Sequence, residues 1–121
     1  MTRRALTFAL LLLATPALAH EPRKGPNGGL LVDAGAYHVE VVSGGMTVDV
    51  FLSDSADKPV AAEGFKATAV LAVAGKSVRI LLTPAGGSRL TGQSAAPLPA
   101  DPKGAVLLTA PDGKTAQARL N

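Results

Sequence analysis

The chain has no cysteine and no tryptophan, and aromatics make up only 3% of its 121 residues. Without cysteine there is no disulfide scaffold, no thiolate zinc or iron–sulfur site and no thiol nucleophile. No lysine/arginine run is longer than two residues. A nucleic-acid groove needs a basic stripe and usually stacking aromatics, so nucleic acid is not an expected partner. There is no G-x-S-x-G, H-E-x-x-H or P-loop lysine motif. No paired-carboxylate pocket is readable from spacing either, and the chain reads as non-enzymatic.

What is present begins with an address. Met1-Thr2-Arg3-Arg4 is a basic start, Ala5–Ala14 is an uncharged apolar run, and Ala17-Leu18-Ala19 sets small residues two apart after Thr15-Pro16. These are the three parts of a secretory signal peptide. The apolar run is about half of the roughly 20 residues a spanning helix needs. Residues 1–19 are therefore expected to be cleaved after Ala19, releasing the rest into the periplasm with no membrane segment. The released chain keeps ten basic and nine acidic residues, so its charge is close to balanced.

Residues 20–29 (HEPRKGPNGG) are polar and rich in proline and glycine, the composition of a flexible, unpacked arm. Residues 30–121 read as one β-domain. Apolar, β-type runs fall at 30–33, 37–43, 47–53, 66–73, 76–83, 89–91, 105–110 and 115–120, with no amphipathic helix of useful length. Seven or eight short strands at this spacing suggest an all-β fold, an antiparallel sandwich of immunoglobulin-like or related type. The Ala/Pro-rich stretch 94–103 reads as a loop.

Turn signals set the expected register. A two-residue turn at Gly44-Gly45 pairs Val41 with Val48, Val39 with Val50 and Tyr37 with Leu52, which gives one clean apolar face. A turn at Ala74-Gly75 pairs Leu71 with Val78, Ala69 with Ile80 and Ala67 with Leu82. Asp112-Gly113 is the strongest turn signal and sets Ala110 opposite Thr115 and Leu107 opposite Ala118. Asp54-Ser55-Ala56-Asp57 lacks the glycine and further oxygen ligands of a calcium loop, and reads as an Asx turn before Lys58-Pro59.

Only two histidines exist. After cleavage His20 would be the first residue. Its α-amine and imidazole Nδ1 would form a bidentate nitrogen chelate suited to Cu(II) and, less strongly, Ni(II) or Zn(II). His38 is the only other imidazole. The expected first hairpin sets Glu40 opposite Asp49, and like charges facing each other on a sheet repel. Two readings stay open for that pair. A metal ion sits among His38, Glu40 and Asp49, or a basic side chain from a neighbouring strand neutralises the two carboxylates. Met46 is the only methionine after cleavage, which excludes a methionine-rich Cu(I) site.

The run Gly25-Pro26-Asn27-Gly28-Gly29, followed by Leu30–Val42 with Tyr37-His38-Val39-Glu40, resembles a segment near the start of periplasmic adaptor subunits of heavy-metal efflux systems. It is also similar, loosely to the chain's end, to small exported β-domain proteins of Gram-negative bacteria. Adaptors often carry histidine between the proline and the glycines, where this chain has Asn27. The long helical hairpin of an adaptor is absent. The resemblance implies a non-enzymatic accessory role in transition-metal handling, copper first, beside a heavy-metal efflux system or another envelope protein. The expected ligands are His20, His38, Glu40 and Asp49. The other reading is a structural or interaction module of the envelope without bound metal, offering an edge strand or the 25–29 arm to a partner.

Overall fold

The computed structural model describes residues 22–120. His20 and the expected signal peptide lie outside these residues. The architecture is all-β, and all neighbouring strands run antiparallel. The strands are β1 (Arg23–Lys24), β2 (Leu30–Ala34), β3 (Tyr37–Asp54), β4 (Lys66–Val73), β5 (Lys76–Pro84), β6 (Arg89–Leu98), β7 (Lys103–Thr109) and β8 (Thr115–Arg119). They form one continuous sheet in the order β1-β2-β3-β6-β5-β4-β7-β8, not two stacked sheets. β5 pairs with β4 along its length but with β6 only at Thr83 and Pro84, and the sheet bends there. The bend brings β8 back toward β2, so that a β-carbon on Gly35 would lie 3.1 Å from that of Ala116.

The core is built mainly from small aliphatic side chains on the inner face, among them Val39, Val41, Val48, Val50, Leu71, Leu82, Leu90 and Leu108. Phe65 closes one end and meets Tyr37 edge-on, with ring centroids 5.2 Å apart.

The first expected hairpin is not formed. β3 runs through Gly44-Gly45 without reversing, and turns back instead on β2 at Gly35-Ala36, pairing Ala34 with Tyr37 and Leu30 with Val41. Gly35 at φ +59° supplies the first central position of a type II′ turn. Past residue 44, β3 pairs with β6, and the register shifts between Gly45 and Thr47. Odd residues 39, 41 and 43 point inward before the shift and even residues 48, 50 and 52 after it. The apolar face is the one expected, reached through an irregularity in one strand. β6 also continues through residue 98, where composition suggested a loop, with Pro97 carried in the irregular stretch.

The hairpin at Ala74-Gly75 has the expected register, and both turn residues have positive φ, as a type I′ turn requires. The Asp112-Gly113 hairpin is shifted by one residue. Its loop holds three residues, closed by Ala110 N–H donating to Lys114 O at 2.8 Å. Leu108 therefore faces Ala116 inside, and Leu107 faces Gln117 outside.

Candidate functional site

Residues 22–29 are ordered by a buried carboxylate rather than left as a loose arm. β1 pairs with β2, and the intervening turn is closed by Gly25 N–H donating to Gly29 O at 2.8 Å. Glu40, 1% exposed, reaches into this turn from β3. Its Oε2 accepts from the Asn27 and Gly29 backbone N–H groups at 2.8 Å each, and its Oε1 accepts from Asn27 Nδ2 at 2.9 Å. The turn is shaped for that visit. A β-carbon at Gly25 would collide with Glu40 Cδ, and one at Gly29 would lie 2.5 Å from Val41 O. The G-P-N-G-G run and the glutamate thirteen residues beyond Asn27 thus form a single lock.

Glu40 is consequently not part of a metal cluster with Asp49. It faces Leu31 across the ladder, whereas Asp49 faces Thr91, so the expected like-charge pair does not exist. Asp49 accepts from Thr91 Oγ1 at 2.6 Å, and Arg89 stands 3.9 Å away. The first-hairpin register was the source of this expectation, and it fails with that register.

His38 occupies a different cluster. The β2–β3 turn sets Asp33 directly opposite it, and Asp33 Oδ1 lies 3.2 Å from His38 Nε2. Asp57 Oδ1 lies 2.9 Å from Nδ1 and is also 3.7 Å from the Arg23 guanidinium. The two ring nitrogens point away from each other, so the two carboxylates approach from opposite sides and do not converge on one point. Among the described residues no three His, Cys, Asp or Glu side chains are grouped to hold a metal ion. An ion at either nitrogen needs that nitrogen's lone pair and must displace a carboxylate.

Asp57 is positioned by the expected Asx turn. Asp54 Oδ1 accepts from Ala56 N–H at 2.8 Å and from Lys58 N–H at 3.0 Å. The Lys58 N–H bond holds the Asp54 carboxyl below its ordinary range, with lesser help from Ala56 N–H and the charges of Lys58 and His38. Beside this cluster, a cleft of about 510 Å³ is lined by the polar Arg23, Asn27, Glu40 and Asp57 and by the apolar Phe51 and Pro59.

Asp33, Asp57 and Arg23 were not expected around His38 from the sequence. Asp33 was within reach of sequence reasoning, because a turn at Gly35-Ala36 puts residues 33 and 38 face to face. Asp57 is brought in by a loop closure nineteen residues from His38, for which no local pattern exists. No family model, curated protein or solved structure matches the chain.

Proposed function

We propose that the chain is a non-enzymatic accessory protein of periplasmic transition-metal handling, Cu(II) first, acting beside a heavy-metal efflux system or another envelope protein. The observation that carries this reading is the run of contacts from Arg23 through Asp57 to His38. His20 lies three residues before Arg23, and three residues span at most about 11 Å. A chain processed after Ala19 therefore carries its α-amine and first imidazole on a tether short enough to meet this cluster. His20 would supply two nitrogen donors and His38 a third once Asp57 leaves Nδ1. Asp57, with 65% of its side chain exposed, can turn to offer an oxygen. A nitrogen-rich set with one carboxylate suits the tetragonal preference of Cu(II). Glu40 and Asp49 drop out of the ligand set.

The test is a Cu(II) titration of the processed chain against the same chain with one extra residue before His20, and against His38→Ala. One ion should bind per chain, and the extension should weaken binding at least about tenfold by removing the amine chelate. Equal affinity with and without the extension refutes the reading.

A second reading, an envelope interaction module without metal, is favoured by one observation. His38, Glu40 and Asp49 are each already bonded within the chain. It expects Cu(II) to leave the melting temperature unchanged, whereas a bound ion raises it by mass action.

A further inference from the structure

The outward side chains of β5, β4, β7 and β8 line up in four rows across the sheet. One row is Leu81, Thr68, Leu107 and Gln117, and the next is Arg79, Val70, Ala105 and Arg119. On the far side of the leucine row lies Lys66 with three threonines, and beyond the arginine row lie Ser77, Ala72 and Lys103. Leu81 is 71% exposed and Leu107 44%, two of the three large apolar side chains so exposed among the described residues. This face carries four cations and no carboxylate. None of the four is ion-paired among the described residues. Strands stand about 4.8 Å apart, so Arg79 and Arg119 lie about 14 Å apart with apolar side chains between them. A shallow recess of about 410 Å³ opens beside Leu107, with Gln117 and Arg119 at its rim.

We propose that this face docks on an anionic lipid bilayer. On this face positive charge complementary to anionic headgroups is joined to exposed apolar surface. Peripheral binding draws on both, with aliphatic side chains entering the headgroup boundary while long basic side chains keep their charges at the phosphates. The core of a protein–protein interface is depleted in lysine and enriched in aromatic anchors. This face has one sign, no aromatic, and hydroxyls at Thr68, Ser77, Thr83, Thr109 and Thr115 that can donate to phosphate oxygens. The inference stands independently of the metal reading.

The test is co-sedimentation of the processed chain with phosphatidylcholine vesicles containing none or about 40% phosphatidylglycerol, at low and high salt. Binding should appear only on the anionic vesicles and be lost at high salt. Reversing Arg79→Glu with Arg119→Glu should weaken it at least about 25-fold, since two lost cations alone account for about fivefold each and the new carboxylates add repulsion. Reversing Lys24→Glu with Lys58→Glu, which changes the net charge equally on other surfaces, should leave it within about twofold. Should the first pair impair folding by circular dichroism, Leu81→Gln with Leu107→Gln takes its place and should weaken binding about tenfold. Equal binding to both vesicle types, no binding to either, or equal losses from the two charge reversals overturns the proposal.

Discussion

Removing the carboxylate of Glu40 tests the lock between the 25–29 turn and β3. Three N–H donors converge on it, two of them backbone groups whose only acceptor is Oε2. Hydrogen bonds to a charged group contribute about 1.5–3 kcal/mol each, so three of them set a gross loss of about 5–9 kcal/mol. Two effects reduce it. The turn is at the surface and can swing out to water, and desolvation of one buried charge is relieved. Glu40→Ala should therefore cost about 3 kcal/mol. Glu40→Gln should cost about 1 kcal/mol, because its oxygen can take the Oε2 position while Asn27 reverses its amide to accept from the new NH2. For a domain of about 100 residues, 3 kcal/mol lowers the melting temperature by roughly 12–24 °C. Urea unfolding gives the free energies, and hydrogen exchange at Gly29 reports the turn itself. A Glu40→Ala protein within about 0.5 kcal/mol of the parent, or a Gln variant as unstable as the Ala variant, would refute this account.

Gly104→Ala should be among the most damaging single changes, at about 3 kcal/mol or more. Its β-carbon would meet Val70 O on a backbone held at φ +132°, and thermal melts would show it. Ala74→Asn should stabilise by about 0.5–1 kcal/mol, since Ala74 sits at φ 50° in a type I′ turn that favours Asn-Gly; a lower denaturation midpoint would contradict the turn assignment. Asp54 has a depressed pKa, so its contribution is present above the ordinary carboxylate range and is lost as pH falls through its folded value. The Ala56 and Lys58 amide resonances should move together in that acid window, and not near neutrality. Leu108→Ala should cost about 3 kcal/mol while Leu107→Ala costs under about 0.5, reversing the order that a two-residue Asp-Gly turn implies.

The apolar pattern carried the core but not the connections. Val39, Val41, Val48, Val50 and Leu52 are inner-face residues in either arrangement. A two-residue turn and a strand irregularity both switch the inward residues from odd to even, so alternation alone does not distinguish a reversal from a continuation. Gly44-Gly45 tipped the reading toward a turn. The turn at Gly35-Ala36 was shorter on signal because the second pair from it, Asp33 and His38, is polar. Ala74-Gly75 was legible since both strands and the turn agree. Asp112-Gly113 marked a turn correctly, but Gly113 at φ 85° closes a three-residue loop, which shifts every pair beyond it by one.

The candidate site was legible only as residue types. His38 stood out in the sequence by its scarcity, but its partners depend on a chain reversal and a distant loop. Glu40 was misread because an isolated acidic residue in an apolar strand suggests an outward charge. Its true acceptor role needs the donor-rich turn thirteen residues earlier, and that pairing is a property of register.

The switch within β3 also constrains how this chain can change in length. Ser43 and Val48 both face inward although five positions separate them, an odd spacing that a strand of period two meets only with one irregular residue. Losing one residue there gives an even spacing, so a straight strand would keep Val39, Val41, Val48, Val50 and Leu52 all inside. A one-residue deletion in this segment should therefore be tolerated by the core, whereas a two-residue deletion must still keep an irregularity somewhere between the halves.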